Sequence, residues 1–596
     1  MIQERLKALR AEMEKRGITV YVVPTADFHE SEYVGDHFKA RKFITGFTGS
    51  AGTAVITLDE AGLWTDGRYF VQAENQLKDS TVTLYRMGEE GVPTVDEFVK
   101  DRLKEGGCLG FDGRVVNGTW GGKLEKIAAE KNVSMHVTED LIDLIWEDRP
   151  ALSKQPLFIL EEKYSGKSTA DKIADLRKAM KENGADVHIL TSLYDIAWLL
   201  NIRGNDIDYV PVVLSYLVLN ETECIWFLQE EVVDDKIRAY LEENHITTKP
   251  YDAIYDYVPE IPADAVVLMN RGTVNYRIVN SLDKAIKVVD KPNPTELMKA
   301  VKNKTEVDNT RAAHVKDGVA FTKFMYWLKQ NVGKTEIDEI TAAAYLDKLR
   351  SEVEGNLGLS FGTISAYSDN AAMCHYAVSE ESNKKLMPRG MYLVDSGGQY
   401  LEGTTDITRT FALGELTEEE KECFTLVASC MLRLLNVKFP YGCHGYNFDF
   451  AARELLWRRG LDFNHGTGHG VSFLGSVHER PNGVRWRVVP ERQDNAVFEE
   501  GMITSDEPGL YFEGKFGIRT ENLMLCVKAE KNEYAQFMKF ENLTWVPIDL
   551  DAIDVKYMEP RDRELLNAYH KEVYNKISPY LPEEEAKWLE KVTREI

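Results

Sequence analysis

The residues best suited to chemistry are four carboxylates and one histidine in the last third of the chain, and the first two are Asp395 and Asp406. An apolar strand ends at Asp395, turns through several glycines and returns as DITRTF from Asp406. A hairpin folded about the midpoint of the two aspartates makes them cross-strand neighbours, with Cβ atoms about 4.5–5.5 Å apart. Two such carboxylates repel, and burial would force one to take up a proton. A divalent cation removes this conflict, so the hairpin predicts a metal site.

A second carboxylate pair is arranged in the same way. Glu507 and Glu521 lie symmetrically about Gly514, which occupies the turn signal EGK. The alternation of the flanking residues predicts that these two are also opposed, although one β-bulge would shift the register. Each acid alone has an ordinary explanation, such as a turn-forming aspartate before Ser-Gly-Gly. The prediction therefore depends on all the members together.

The fifth residue is a histidine in NHGTGHGVSFLGSVHE, where His465 and His469 are four residues apart. The intervening glycines favour an extended or turning backbone over the helical HExxH zinc signature. Four carboxylates and one imidazole suit Mn²⁺ first, with Zn²⁺ or Co²⁺ as alternatives. Two divalent metal ions would balance the four negative charges, activate a shared hydroxide and polarise a carbonyl, which is the chemistry of a hydrolase.

The motifs VDSGGQY, GTTDITRTF, HGTGHGV, VHE, SDEPGLY and FGIRTEN closely resemble those of the pita-bread metallopeptidases, in particular the long, three-domain Xaa-Pro aminopeptidases. The motif match covers about residues 361–530, and earlier segments such as GFTGSAGTAVIT and LWTDGRYF extend the resemblance to the whole chain. It implies hydrolysis of the N-terminal Xaa-Pro bond of peptides. The preference for proline comes from the resemblance alone, because two metals explain the hydrolysis of any amide.

The resemblance also implies a metal-binding role for each of the five residues. Asp395 would bind one metal, and Asp406 and Glu521 would bridge both. His469 and Glu507 would complete the coordination, and Glu507 would also be the general base.

Three further histidines have catalytic or substrate-contacting roles by the same resemblance. His375, in AAMCHYAVS, would contact the substrate near the scissile bond. His478 would shuttle a proton or steady the tetrahedral intermediate, and His465 would line the entrance to the substrate subsites. A thiol nucleophile at Cys374 is disfavoured, since adjacent residues of a strand point to opposite faces.

Strand alternation predicts residues that support the ligands, because residues two apart share a face. Arg519 shares a face with Glu521, and its guanidinium is expected to brace a carboxylate such as Asp395. Thr408 is related to Asp406 in the same way. Tyr511 shares a face with Glu507 and resembles a family residue of the substrate pocket.

The 596 residues are enough for about three domains. An amphipathic helix, a glycine and a strand recur at the same spacing around Gly17 and around Gly184, which indicates two related αβ domains. Pro292 and Pro294 precede a helix start and mark the last boundary. The predicted domains are 1–155, 156–293 and 294–596, the last with a helical C-terminal extension. The fold class is α/β (α+β), with two creatinase-like N-terminal domains followed by a pita-bread catalytic domain.

Composition excludes several other classes of function. The formal net charge is −25 and no long basic tract is present, so nucleic acid is not an expected partner. The longest apolar run is too short to span a bilayer, and the N terminus has no apolar signal core. Seven scattered cysteines without a CxxC motif indicate free thiols in a reducing compartment. We expect a cytoplasmic enzyme, and the family tendency is to form homodimers.

Three alternatives remain open. Prolidase shares the metal chemistry but cleaves only dipeptides, and its usual architecture has one N-terminal domain. A methionine aminopeptidase would consist of little beyond the catalytic domain. A non-catalytic peptide-binding protein on the same fold would have lost ligands, whereas all five positions are filled here.

Overall fold

The computed structural model describes residues 2–596, which form two compact units. The first unit comprises the residues up to Ile159 together with Lys167–Thr295. The second comprises Leu160–Gly166 and Glu296–Ile596. All of the predicted site residues lie in the second unit.

The first unit contains two six-stranded sheets, and the strand order of the first is β4-β3-β2-β1-β5-β6. Its strands are β1 (Val20–Pro24), β2 (Thr53–Thr57), β3 (Ala61–Thr65), β4 (Thr83–Arg86), β5 (Cys108–Gly110) and β6 (Ser134–His136). The helices of this segment are α1 (Ile2–Lys15), α2 (Ala40–Thr45), α3 (Phe70–Leu77), α4 (Val95–Arg102) and α5 (Gly118–Glu130).

The second sheet has the order β12-β11-β10-β8-β13-β14, and β7 pairs separately with β9. The strands are β7 (Phe158–Ile159), β8 (Val187–Leu190), β9 (Ile202–Arg203), β10 (Ser215–Asn220), β11 (Cys224–Leu228), β12 (Ile246–Pro250), β13 (Val266–Met269) and β14 (Lys287–Asp290). The helices are α6 (Glu162–Ser165), α7 (Thr169–Glu182), α8 (Leu193–Leu200), α9 (Asp235–Glu243), α10 (Ile254–Tyr257) and α11 (Tyr276–Ser281), of which α6 belongs to the second unit.

The two sheets have the same topology, which agrees with the repeat seen in the sequence. The strand β1, which follows α1, pairs antiparallel with β2 and parallel with β5. In the same way β8, which follows α7, pairs antiparallel with β10 and parallel with β13. The other neighbouring strands of the two sheets also pair in corresponding directions. The helices α1 and α7 are followed by Gly17 and Gly184, whose φ angles of 66° and 65° lie in the left-handed region. In the segment GKS, Ser168 caps α7 by accepting from the backbone N–H of Asp171.

The second unit contains a six-stranded sheet, two three-stranded sheets and a separate hairpin. Its strands are β15 (Asn356–Leu359), β16 (Ile364–Tyr367), β17 (Met391–Ser396), β18 (Gly398–Tyr400), β19 (Gly403–Thr404), β20 (Ile407–Ala412), β21 (Lys438–Pro440), β22 (Gly468–Gly470), β23 (Glu479–Val484), β24 (Ile503–Asp506), β25 (Gly509–Phe512), β26 (Phe516–Arg519), β27 (Asn522–Lys531) and β28 (Gln536–Asn542). Its other helices are α12 (Pro294–Ala300), α13 (Lys304–Asn331), α14 (Glu339–Ser351), α15 (Glu418–Leu435), α16 (Gly445–Phe448), α17 (Phe450–Trp457), α18 (Pro560–Ile577) and α19 (Glu583–Val592).

The six-stranded sheet has the order β21-β28-β27-β24-β22-β23, and β17 is central in the sheet β16-β17-β20. The helix α15 is buried along most of its length, because it lies in the largest hydrophobic core of this unit. The C-terminal helices α18 and α19 contribute Leu566, Val573 and Leu589 to the same core. The helical C-terminal extension therefore packs against the rest of the second unit.

The structure contains neither disulfides nor a membrane-spanning helix between residues 2 and 596. None of the seven cysteines, all of which lie in the described part of the chain, forms a disulfide. Between residues 2 and 596, no helix has both the length and the apolar character needed to cross a membrane.

Candidate active site

Three of the five predicted ligands lie together, next to β20 of the sheet β16-β17-β20 and β22 and β27 of the six-stranded sheet. One potential ligand atom from each of Asp406, His469 and Glu521 lies within 4.8 Å of the other two. The His469 Nε2 atom is 3.5 Å from Asp406 Oδ2 and 3.6 Å from Glu507 Oε1. The fourth residue, Glu507, therefore adjoins the same cluster.

The strand that carries His469 orients its imidazole. The Nδ1 atom is 3.0 Å from the carbonyl oxygen of Gly470, which assigns the proton to Nδ1 and leaves the lone pair of Nε2 facing the carboxylates. Gly468 is required beside it, since a Cβ atom there would lie 1.9 Å from the carbonyl oxygen of Ser505. The extended backbone predicted for HGTGHG is thus present, and glycine allows the close approach of two strands.

The first hairpin differs from its predicted register. In the ladder between β17 and β20, Asp395 is paired with Thr408 rather than with Asp406, and the last pair is Ser396 with Ile407. Two further strands, β18 and β19, lie within the connection and pair with each other. Asp406 lies just before β20 and close enough to Asp395 for that carboxylate to be the strongest charge acting on it, but the predicted direct opposition of the two was wrong.

The second hairpin keeps its predicted register on both sides of the glutamates. The ladders β25–β26 and β24–β27 are both symmetric about Gly514. At the glutamates the pairing is interrupted, because the Glu521 N–H donates to the Thr408 carbonyl (3.1 Å) and the Glu507 N–H donates to the Thr467 carbonyl (2.8 Å). The two glutamates therefore lie where the hairpin passes from one sheet to the next.

The electrostatics of the cluster are those of crowded acids. Burial and the neighbouring carboxylates Asp395 and Glu507 raise the pKa of Asp406 well above its ordinary value. Burial, followed by the charges of Asp406 and Asp395, raises the pKa of Glu521 in the same way. Burial and the charge of Asp395 also raise the pKa of Glu507 to about 7. Bound cations would relieve this repulsion and favour the ionised acids.

The donor set fits divalent metal ions on structural grounds. Asp395 Oδ1 is buried and accepts no hydrogen bond within residues 2–596, so it is available as a ligand. Carboxylate oxygens and one neutral imidazole nitrogen are the donors that such ions prefer. The residues that would hold the metal ions are Asp395, Asp406, His469, Glu507 and Glu521.

Arg519 contacts the residues that the alternation argument associated with it. Its Nη2 atom donates to Asp395 Oδ2 at 2.5 Å, and its Nε atom donates to the Thr408 hydroxyl at 3.2 Å. The Thr408 hydroxyl in turn donates to Glu521 Oε2 at 2.7 Å. One guanidinium is thereby linked to a carboxylate of each hairpin.

A hydrogen-bond chain continues from Arg519 towards the outer part of the site. Arg519 Nη1 donates to the Tyr511 hydroxyl at 2.8 Å, and that hydroxyl is 2.9 Å from His465 Nε2. The His465 Nδ1 atom is 2.7 Å from the Gly466 carbonyl, so Nε2 accepts from the hydroxyl. Burial and the charge of Arg519 lower the pKa of His465 to about 3. His465 is therefore neutral at physiological pH.

The other two predicted histidines are placed differently. The ring of His478 is perpendicular to that of His469, with centroids 4.3 Å apart. His375 and Cys374 lie in a turn after a 3-10 helix at Ser368–Ala372, so the expectation of a strand there was wrong. Gly517 packs directly on that 3-10 helix, because a Cβ atom would lie 1.8 Å from the Ala371 carbonyl oxygen. The turn is thus held beside the hairpin that carries Arg519.

Two buried carboxylates outside the ligand set hold segments of the site. Glu339 accepts from the Tyr367 N–H, the Asn370 amide and the Tyr376 hydroxyl, and so anchors the segment on both sides of His375. Glu479, which follows His478, is held by Lys299, Lys302 and the Ser472 hydroxyl. Sequence reasoning assigned neither glutamate a role. The only available signal was the position of Glu479 in the motif VHE.

Models of known protein families match most of the chain. A model described as metallopeptidase family M24 matches residues 308–528, and a model for its C-terminal region matches 536–596. Two models of the creatinase/prolidase N-terminal domain match residues 5–145 and 148–306.

Similar full-length proteins include one named "Probable Xaa-Pro aminopeptidase P" from Laccaria bicolor, which is 39% identical over 97% of this chain and 91% of its own length. A protein of the same name from Talaromyces marneffei is 39% identical over 99% of this chain and 92% of its own length.

Among solved structures, an X-prolyl aminopeptidase from Caenorhabditis elegans, described as a cytosolic enzyme with a di-nuclear active site, is 33% identical with a TM-score of 0.94 over 100% of both chains. A Xaa-Pro dipeptidase from Bacillus anthracis is 22% identical, has a TM-score of 0.52 and covers 64% of this chain and 99% of its own, so it shares the fold alone.

The chain therefore belongs to metallopeptidase family M24 and, within it, to the Xaa-Pro aminopeptidase P proteins that match 97–99% of its length. The predicted family and fold class are confirmed.

Proposed function

We propose that this protein is a metal-dependent aminopeptidase that hydrolyses the N-terminal Xaa-Pro bond of peptides. The observation that carries the proposal is the cluster of Asp406, His469 and Glu521, which Glu507 adjoins, within a chain whose relatives over 97–99% of its length are named Xaa-Pro aminopeptidase P. Arg519 and Thr408 link Asp395 to this cluster. When bound, two divalent cations would lower the pKa of a water molecule and polarise the scissile carbonyl. Mn²⁺ is the metal we propose, with Zn²⁺ or Co²⁺ as alternatives, because four of the five ligands are carboxylates.

The residues around the cluster have separate tasks in this proposal. Glu507 is the general base, because its carboxylate adjoins the cluster, 3.6 Å from His469 Nε2, and in its ionised form can accept a proton from the attacking water. His478 adjoins His469 and moves or holds a proton during breakdown of the intermediate. His375 contacts the substrate near the scissile bond from the turn that Glu339 anchors.

The outer part of the site orients the peptide. Because His465 is neutral and its Nε2 accepts from Tyr511, it lines the substrate subsites without carrying charge. Arg519 braces Asp395 and, through Thr408, Glu521, so that the ligands are in place before a metal ion arrives.

The wider organisation is also part of the proposal. The domains extend over 1–155, 156–293 and 294–596. Two six-stranded sheets in the first unit and two N-terminal-domain matches, at residues 5–145 and 148–306, support two domains before the catalytic one. A cytoplasmic location is supported by the cytosolic Caenorhabditis elegans enzyme.

A homodimer is supported by an exposed aromatic patch on α16 and α17. Tyr446, Phe450 and Trp457 are 41%, 57% and 40% exposed, and the rings of the last two have centroids 5.9 Å apart. Exposed apolar patches of this kind mark interfaces between proteins. Light scattering of the wild-type protein and of Phe450→Asp tests this, and a monomeric wild type would contradict it.

The activity itself is tested by mass spectrometry of the products from a matched Xaa-Pro dipeptide and a Xaa-Pro-Xaa-Xaa-Xaa pentapeptide. The protein is stripped of metal and restored with Mn²⁺. We expect metal-dependent release of only the first residue from the pentapeptide. Cleavage of the dipeptide alone would indicate prolidase, and cleavage of neither would favour the non-catalytic binding protein.

Matched variants separate the site from the fold in this assay. Glu521→Gln keeps the shape of a ligand side chain but removes its charge, and should abolish cleavage. Glu513→Gln makes the same chemical change at an exposed position of the same hairpin. This control should retain full activity.

A further inference from the structure

A buried ion pair from two helices holds the connection between Asp395 and Asp406. Asp317 in α13 and Arg350 in α14 are both fully buried. Arg350 donates from Nε to Asp317 Oδ1 at 2.6 Å and from Nη2 to Asp317 Oδ2 at 3.1 Å. The same Nη2 atom also donates to the carbonyl oxygen of Ser396 at 3.2 Å. The guanidinium thus contacts the residue that directly follows Asp395.

The carboxylate of Asp317 contacts the connection at two further points. The Tyr400 hydroxyl donates to Asp317 Oδ1, and the Thr405 hydroxyl donates to Asp317 Oδ2, both at 2.8 Å. The Thr405 hydroxyl also accepts from the Gly398 N–H at 2.9 Å. Because Thr405 directly precedes Asp406, one ion pair contacts the beginning, the middle and the end of the connection.

Such a device is needed because the β-ladder does not extend to Asp406. The last pair between β17 and β20 is Ser396 with Ile407, so the ladder fixes Asp395 but leaves Asp406 just outside it. The backbone before Asp406 is instead held through Thr405. Its hydroxyl contacts Asp317, and its carbonyl oxygen accepts from the Ser360 hydroxyl at 2.8 Å.

The ion pair is poorly suited to a purely stabilising role. Buried ion pairs contribute little net stability, because the cost of desolvation offsets the attraction of the charges. Within residues 2–596, Arg350 Nη1 is buried and has no hydrogen-bond partner, which adds to that cost.

We propose that Asp317 and Arg350 are positioning residues that fix the backbone on both sides of the Asp395–Asp406 connection and thereby set the metal affinity of the site. This inference rests on the proposed function, and it assigns a role in metal binding to two helices outside the ligand motifs. The pair acts through Ser396 and Thr405, which are the neighbours of the two ligands.

The test is isothermal titration of the metal-stripped, full-length protein with MnCl₂, for the wild type and for Asp317→Asn. We expect the Kd for Mn²⁺ to rise about 10–100-fold, as for other residues that orient metal ligands. Saturating Mn²⁺ should restore most of kcat. The matched control is Asp562→Asn, because Asp562 forms a similar two-bonded pair with Arg433 between α15 and α18, at 2.7 and 2.9 Å. The control should lower the melting temperature and leave the Kd unchanged.

A milder variant keeps the experiment decisive if Asp317→Asn does not fold. Thr405→Val preserves the shape of the side chain and the ion pair itself, but removes the link to Asp406, and it should also raise the Kd. A wild-type Kd in Thr405→Val, or equal Kd values for Asp317→Asn and Asp562→Asn, would overturn the inference while the proposed function stands. A wild-type protein that binds no Mn²⁺ would overturn the proposed function and this inference with it.

Discussion

Replacing Glu479 with glutamine is expected to destabilise the second unit in a way that depends on pH. The carboxylate lies between two lysines, with Oε1 against Lys302 and Oε2 2.7 Å from Lys299. The side chains of Glu479 and Lys302 are 0% exposed, and that of Lys299 is 9% exposed. Glu479→Gln therefore leaves two buried ammonium groups without their shared anion.

The size of the destabilisation by Glu479→Gln depends on whether the two lysines stay charged or one of them loses its proton. Leaving a buried charge unpaired costs about 3–5 kcal/mol. A lysine can instead release its proton, which from an ordinary pKa of 10.5 costs about 5 kcal/mol at pH 7 and about 2 kcal/mol at pH 9. In the variant, the pKa of folded Lys302 lies further below its unfolded value, so the unfolded state binds more protons and stability rises with pH. The difference between variant and wild type should shrink by up to about 3 kcal/mol between pH 7 and pH 9.

The assay is urea unfolding at both pH values, combined with hydrogen–deuterium exchange of peptides that span 468–484. These peptides contain His469 and His478, so they report on the segment that Glu479 holds. Lys302→Met is the matched control, because the carboxylate keeps Lys299 and the Ser472 hydroxyl. Its destabilisation should be smaller and nearly the same at both pH values. A loss of stability in Glu479→Gln that does not change between pH 7 and pH 9 would refute the reasoning.

Three further outcomes are expected. Arg519→Ala should weaken Mn²⁺ binding about 10–100-fold with an unchanged circular dichroism spectrum, because Asp395 loses a donor; unchanged metal content and activity would contradict the bracing role. His478→Ala should lower kcat about 100- to 10,000-fold while mass spectrometry still finds two metal ions, and loss of metal would show that the side chain is a ligand instead. His188→Leu should make the first unit less sensitive to acid. Burial lowers the pKa of His188 to about 4. At pH 5 this histidine therefore takes up a proton when the protein unfolds, which lowers the free energy of unfolding by about 2 kcal/mol. Above pH 7 this loss of stability disappears, because the histidine is neutral in both states. Urea unfolding at pH 5 and 7.5 checks this, and an equal pH dependence in both proteins would count against it.

The register of the second hairpin could be predicted because residues close together in the sequence determine it. Alternation on both sides of a glycine turn fixes the register, and the observed ladders follow it up to the residues beside Glu507 and Glu521. The first hairpin was not predictable in the same way. Its connection contains two additional strands and is held by Asp317, which is 78 residues before Asp395 in the chain.

Glu479 and Glu339, to which the sequence analysis assigned no role, both bind partners that are far away in the sequence. Glu479 is 177 residues from Lys302, and Glu339 is 31 residues from Asn370. Neither periodicity nor turn signals carry information about such pairs. The turn at His375 was missed for a related reason, since the 3-10 helix before it is fixed by its contact with Gly517 and by the carboxylate of Glu339.

The symmetry of the second hairpin about Gly514 has a consequence for how its length can change. Glu507 and Glu521 are equally far from the tip, and both flanking ladders share one register. A deletion of one residue within either strand would turn the side chains on one side of the break to the opposite face and separate the two glutamates. Residues added at the exposed tip, between Glu513 and Lys515, would leave both ladders as they are. The tip is therefore the place where this hairpin can accept an inserted peptide or new chain termini without loss of the metal ligands.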